Sequence, residues 1–190
     1  MKNFVIFFCS FLLIFLYGSF SNASANPEKR EFRGAWIATV ANIDWPSNVS
    51  ATSEEKKTEL IQILDSLRKC KINAVIFQIR PTADALYKSD IEPWSEWITG
   101  VQGRAPEPFF DPLQLVVEEA HKRCMEVHAW INPYRVTNFQ NYKLDENHIY
   151  FKKPHLFKTY GGRIYFDPGL EETGDYLIRV LQDIVSRYDI

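Results

Sequence analysis

A parallel α/β fold is predicted by three features of this sequence. Strand-like apolar runs alternate with stretches of helical periodicity in the order β-α-β-α-β-α. The segment "RKCKINAVIFQIRP" (68–81) aligns with "KRCMEVHAWINPYR" (122–135) at a constant offset, cysteine on cysteine. In each copy one strand face is apolar, the other turns polar towards its carboxyl end, and a long loop follows.

The first predicted strand is "EFRGAWIATVAN", Glu31 to Asn42, interrupted by a glycine and rich in small residues. After the loop "IDWPSNVSAT", Thr52 and Glu55 form a capping box, and Leu60, Ile61, Leu64 and Leu67 recur at helical spacing until about Lys69. "INAVIFQIRP" is a β-branched strand that stops at Pro81. A loop is expected from Thr82 to Phe110. Asp111 then serves as N-cap with Pro112 at the first helical position and Gln114 in the capping-box place, and Leu113, Val116, Val117 and Ala120 form the buried stripe.

The third strand is "HAWINPYR", His128 to Arg135. Alternation puts His128, Trp130 and Asn132 on one face and Val127, Ala129 and Ile131 on the other. Another long loop is expected before "FDPG" (166–169). The last helix follows, with Leu177, Val180, Leu181, Ile184 and Val185 facing inward.

Polar groups at carboxyl strand ends, each followed by a long loop, match the mouth of a (β/α)₈ TIM barrel. A doubly wound sheet also binds at strand ends, but no glycine-rich phosphate loop follows the first strand. A full barrel needs about 250 residues, and the chain ends at Asp189-Ile190, where a fourth strand would begin. The expectation is the N-terminal portion of such a barrel, about three βα units.

The amino terminus reads as an export signal: Lys2, a nearly continuous apolar run from Phe4 to Phe20, and the small-x-small site Ala23-Ser24-Ala25. Cleavage near Ala25 leaves residues 26–31 as a short linker and 32–190 as the folded domain. It places the protein in the periplasm or cell envelope, with no membrane span in the mature chain. The formal net charge is −2, with 46% hydrophobic and 24% charged residues, so no basic excess points to nucleic acid. Aromatic residues make up 15% of the chain, and Trp45, Tyr87, Trp94, Trp97, Phe109, Phe110 and Tyr134 fall outside regular patterns, as the walls of a binding site do.

A mouth lined by Gln78, Arg80, His128, Asn132 and Arg135, with the flat faces of Trp36, Trp45, Trp130 and Tyr134, suits a polyhydroxylated ligand such as a glycan. The alternative is that Gln78 and Asn132 satisfy loop backbone while Arg80 and Arg135 pair with Asp44 or Asp84. His121, His128, His148 and His155 show neither HExxH nor i, i+4 spacing, so neither metal nor cofactor is expected. His128 then reads as a lumen donor beside Trp130 or as a core imidazole. Of the loop acids Asp44, Asp84, Glu92 and Asp167, none sits squarely at a strand end as a glycosidase pair would.

"RGAWIATVANIDWP", "FQIRPTADALYKSDIEPWSEWITGVQG", "FDPLQLVVEEAHKRCMEVHAWINPYR" and "YFDPG" resemble the glycosyl hydrolase-like 10 family of exported bacterial proteins, from about Phe32 to the last residue. The resemblance implies a (β/α)₈ barrel that cleaves peptidoglycan glycan strands, particularly those stripped of stem peptides. It implies catalytic acids on a fourth strand, after Ile190, so that this stretch alone is inactive and supplies the substrate-binding half. By position, Arg33, Asp44, Trp45, Gln78, Arg80, Asp84, His128, Asn132, Tyr134, Arg135 and Asp167 match the family's motif residues. Cys70 and Cys124 stand where the family has glycine, at the start of neighbouring strands, and read either as a bridged pair or as two buried free thiols. A non-catalytic glycan-binding barrel is the alternative function.

Overall fold

The computed structural model describes residues 31–137 and 143–190, and its elements lie within the unit Phe32–Ile190. The predicted export signal lies outside the described residues.

The first strand is shorter than its sequence pattern. β1 covers Gly34–Ile37 and gives way to a 3₁₀ turn at Val40–Asn42, where Ala41 (φ 54°) and Asn42 (φ 52°) take left-handed backbone. Gly34 lets the Ile76 and Phe32 side chains close in on the strand, since a Cβ there would lie 2.8 Å from Ile76 Cδ1 and Phe32 Cε1 and would displace both ends. Helix α1 (Ser53–Lys69) starts at the predicted capping box: Thr52 Oγ1 accepts from Glu55 N and Glu55 Oε2 accepts from Thr52 N. Strand β2 spans Ala74–Arg80. Its loop contains a short helix α2 (Glu96–Thr99) and folds back on itself through an Ala85–Trp94 bridge.

Helix α3 (Pro112–Lys122) is capped by Asp111, whose Oδ1 accepts from Gln114 N. Only half of the expected box forms, since the Gln114 amide donates to Glu118. β3 (Glu126–Ile131) follows, then helix α4 (Ile149–Lys152), strands β4 (Phe157–Tyr160) and β5 (Arg163–Phe166), and helix α5 (Glu171–Arg187). β4 and β5 form an antiparallel hairpin where a plain loop was expected. Gly161 (φ 57°) and Gly162 (φ 74°) supply the two left-handed residues of a tight hairpin turn between the alternating runs "FKTY" and "RIYF".

β2 lies between β1 and β3 and runs parallel to both. The molecule is thus a mixed α/β structure built on a parallel sheet. Ile76 sits beside Trp36 and His128, and Gln78 beside Trp130. The repeat in the sequence matches Ile76 to Trp130 and Gln78 to Asn132, two residues further on. Two is an even step, so face assignments survive while the neighbours change. Beyond Gln78 the register shifts and Arg80 comes beside Ile131.

One face of the sheet holds the core: Ile37, Val75, Phe77, Ile79 and Val127 pack with Leu60 and Leu64 of α1, Leu113 and Val116 of α3, and Val180 and Ile184 of α5. Each such leucine withdrawn from water contributes about 1.5–3 kcal/mol. The opposite face is open, and Trp36 is 64% exposed there. On α5, Leu177, Val180 and Ile184 are buried as expected, but Leu181 and Val185 are exposed and Thr173 and Tyr176 take the inward places. The buried stripe follows the 173-176-177-180-184 face, and Leu181 and Val185 lie on its flank.

The cysteines are free thiols, as one of the two readings has them, but they are exposed rather than buried, in the turns that join helix to strand. Cys124 has the left-handed backbone (φ 55°) that favours glycine, whereas in the first copy that conformation falls on Lys71 (φ 64°), one residue after Cys70.

Candidate functional site

Chain alternation decides which predicted residues share the open face. Trp36 on β1 and His128 and Trp130 on β3 flank Ile76 and Gln78 of β2. The Trp36 and Trp130 rings meet edge to face at 4.9 Å, and His128 meets Phe32 the same way at 5.5 Å. His128 Nε2 also lies 3.5 Å from Glu126. At the carboxyl end, Asn132 Oδ1 accepts from the Trp130 indole at 3.1 Å, and its Nδ2 donates to Pro81 O at 2.9 Å. Indole, imidazole and amide are therefore held on one accessible surface. Tyr134 is accessible next to it, and Arg135 pairs by backbone with Tyr165.

Other predicted site residues serve the framework. Trp45 is fully buried, its indole donating to Lys56 O at 3.0 Å, so it is a core residue and not a sugar-stacking wall. Of the other loop aromatics, Tyr87, Trp97 and Phe110 are buried too, while Phe109 stays accessible. Gln78 Oε1 accepts from Thr39 N and Val40 N, which ties down the turn after β1 and leaves its buried Nε2 without a partner among the described residues. Asp44 Oδ2 accepts from Ala38 N at 2.7 Å in the same turn. Arg33 lies at the opposite, amino-terminal end of β1, donating through Nε to Lys71 O.

Arg80 is the largest correction. It is fully buried and forms a bidentate pair with Glu92, at 2.7 and 2.6 Å. Its remaining nitrogen, Nη1, donates to Asn132 O and Pro133 O. Its donors are used inside the protein, so it is not a mouth donor, and its partner is neither Asp44 nor Asp84. Tyr176 of α5 donates to the same Glu92 at 3.0 Å. Burial, then the Glu92 charge, pushes the Tyr176 phenol up, so it stays a donor. Glu92 thereby joins the loop after β2, the end of β3 and α5.

Asp84 is buried as well, accepting from Thr82 N and Oγ1 at 3.1 Å and from Gln102 Nε2 at 3.3 Å. Asp167 Oδ1 caps its own turn by accepting from Gly169 N, while Oδ2 lies 3.7 Å from Lys158 Nζ. The hairpin residues Lys158, Tyr160 and Tyr165 stand beside Tyr134 and Asp167 around a shallow groove of about 310 Å³. Sequence reasoning passed over these three, although the Gly-Gly step between alternating runs signals the hairpin that presents them. Among the described residues no three metal-capable side chains cluster.

The profile of one family, described as glycosyl hydrolase-like 10, matches residues 31–190. The chain belongs to the glycosyl hydrolase-like 10 family. It is 44% identical over 189 residues to glycosyl hydrolase YngK of Bacillus subtilis, covering 95% of this chain and 36% of that protein. It is 36% identical over 190 residues to glycosyl hydrolase DigH of Escherichia coli K12, covering 91% of this chain and 43% of that one. The chain thus spans less than half the length of these relatives. A crystal structure of the noncanonic maltogenic alpha-amylase AmyB from Thermotoga neapolitana aligns with a TM-score of 0.48 at 18% identity, over 83% of this chain and 37% of that one.

In this member of the glycosyl hydrolase-like 10 family, two buried ionisable groups hold the turn after β2. Burial pushes Asp84 up to about 6 from an ordinary 3.8, and burial holds His148 down to about 4 from an ordinary 6.5. His148 Nδ1 accepts from Tyr150 N and Nε2 faces Ala83 O at 3.1 Å, which assigns the neutral Nε2–H tautomer. Folded Asp84 keeps a proton that the unfolded chain has lost, so its contribution to stability falls as pH rises from 3.8 to about 6. Folded His148 lacks a proton that the unfolded chain holds, so its contribution rises from about pH 4 to 6.5. The two slopes oppose each other. Asp84→Asn is expected to make stability climb more steeply with pH across this window than in the wild type, and His148→Gln to tilt it downward. Urea titrations at intervals from pH 4 to 6.5 check both signs, and parallel profiles for all three proteins would refute the assignment.

Proposed function

We propose that this chain is the amino-terminal, substrate-binding part of a (β/α)₈ glycoside hydrolase that acts on bacterial cell-envelope glycan, in particular peptidoglycan strands. The observation that carries the reading is the open face of the parallel sheet, where Trp36, His128 and Trp130 share one side and the Trp130 indole donates to Asn132 at the carboxyl end. Indole faces take the apolar sides of sugar rings, and the amide and imidazole take their hydroxyl and acetamido groups. Kinship with glycosyl hydrolases YngK and DigH supports the reaction class. The exposed flank of α5, with Leu181 and Val185, fits a barrel completed by further elements. Export to the envelope follows from the signal-like sequence of residues 1–25. Among the described residues no helix is long and apolar enough to cross a membrane.

Hydrolysis of a glycosidic bond requires two carboxyl groups flanking it. Asp84 and Glu92 are buried and engaged, while Asp44 and Asp167 organise their own turns. In this reading the catalytic acids come from sequence beyond residue 190, and the chain as given turns over nothing.

The test is incubation of the full-length protein with purified peptidoglycan sacculi, intact and amidase-treated, followed by separation of soluble products. Release of glycan fragments is expected, and faster from the amidase-treated material. Trp130→Ala is expected to lower kcat/KM about tenfold while the protein remains folded. Binding to sacculi with no released product would identify a glycan-binding barrel, and neither binding nor release would overturn the proposal.

A further inference from the structure

The groove on the β4–β5 hairpin is not absorbed by the open face of the sheet. Strand alternation sorts the hairpin into two sides. Phe157, Ile164 and Phe166 turn to the core, with Phe157 8% and Phe166 1% exposed. Lys158 opposite Tyr165, and Tyr160 opposite Arg163, form the outward side. The hairpin is moored to the end of β3: Phe166 N donates to Tyr134 O at 2.8 Å, and Arg135 bridges to Tyr165. Tyr134 and the outward hairpin residues consequently make one continuous surface with the carboxyl end of the sheet.

This surface combines two chemistries. Tyr134, Tyr160 and Tyr165 line the groove with flat rings, and Tyr160 is 82% exposed. Lys158 and Asp167 line the groove with them, and Arg163 stands opposite Tyr160 on the same side of the hairpin. Among the described residues no carboxylate lies within ion-pair reach of Arg135 or Arg163, and Lys158 has only Asp167, at 3.7 Å. Arg135 Nε is buried without a hydrogen-bond partner among the described residues. Burial pulls the Arg135 guanidinium down, Tyr165 and the Asp84 carboxylate work against this, and the nearby Arg163 charge adds to the lowering. An arriving anion relieves that repulsion.

We infer that the hairpin is a subsite for a carboxylate-bearing sugar unit of the glycan, stacked on Tyr160 and Tyr165 with its carboxylate held by Arg163 and Lys158. A tyrosine ring covers the apolar face of a pyranose, and guanidinium or ammonium donors give charge-assisted bonds to its acid group. A neutral sugar uses only the first of these. The subsite rests on the proposed glycan reading and refines it, because it separates acidic from neutral polysaccharides.

Calorimetric titration of the full-length protein tests the inference with three short probes of equal length. These are a β-1,4-linked N-acetylglucosamine oligosaccharide, the same backbone with lactyl ethers on alternate units (a peptide-free peptidoglycan strand), and that strand with its carboxyls reduced to alcohols. The wild type is expected to bind the acidic strand about tenfold more tightly than its reduced form. Lys158→Gln/Arg163→Gln should erase that ratio, and Tyr160→Ala should weaken all three. Equal binding of acidic and reduced strands by the wild type, or an intact ratio in the double variant, overturns the subsite and leaves the glycan reading standing. No binding of any strand by the folded wild type overturns both.

Discussion

Glu92→Ala is expected to lower the free energy of unfolding by about 3–5 kcal/mol, as removing one partner of a buried ion pair does. Arg80 and Glu92 are both fully shielded from solvent at the side chain, with the closest approach 2.6 Å. Without the carboxylate, the Arg80 guanidinium stays in the interior with only the Asn132 and Pro133 carbonyls, and the Tyr176 hydroxyl loses its acceptor. Water does not screen the loss, because Tyr176 and the stacked Phe166 ring close over the pair. Replacing both partners, as Arg80→Met with Glu92→Leu, should cost less than Glu92→Ala alone, since no charge is then stranded. Chemical denaturation measures both. A single-variant loss below about 1 kcal/mol would mean that the pair is hydrated as surface bridges are. The functional consequence runs through Asn132: its backbone carbonyl is an Arg80 partner, so the pair also sets the amide that meets Trp130.

Trp45→Ala is expected to cost about 3–5 kcal/mol, the range for emptying a large aromatic site in a core. The indole is fully buried, tilts against Phe77 at 5.8 Å and donates to Lys56 O. Its removal opens a cavity under β2 and leaves the Lys56 carbonyl without that donor. Trp36→Ala is the matched comparison. That ring is 64% exposed, so its loss should change stability by about 0.5 kcal/mol or less while weakening glycan binding. Thermal denaturation and glycan titration of the two variants separate the roles. Equal stability losses would contradict the burial difference.

These two tryptophans mark how far residue type reaches without tertiary contacts. Both are aromatic residues near the first strand, and both qualify as sugar-stacking walls on residue type. Period-2 alternation places His128 and Trp130 on one face, because that depends only on local backbone geometry, whereas strand pairing brings Trp36 beside them. Trp45 lies in a loop, where no period exists, and its burial depends on α1 folding across it. Arg80 shows the same limit. It lies one residue past a register shift, and its partner Glu92 is brought to it by a loop that doubles back through the Ala85–Trp94 bridge. The hairpin is a different case, since Gly161-Gly162 between alternating runs was a local signal that marks the turn without any tertiary information.

The three long helices, the N-caps Thr52 and Asp111 and the parallel connectivity were thus legible in the residues, because propensity, capping chemistry and hydrophobic period act over a few neighbours. Which polar side chains remain available to a ligand was a matter of tertiary contact. Gln78, Arg80 and Asp84 resemble their accessible counterparts in type and position, and long-range packing turned them into framework. Burial of a charge or an amide is settled by groups far away in sequence, and no local pattern carries that information.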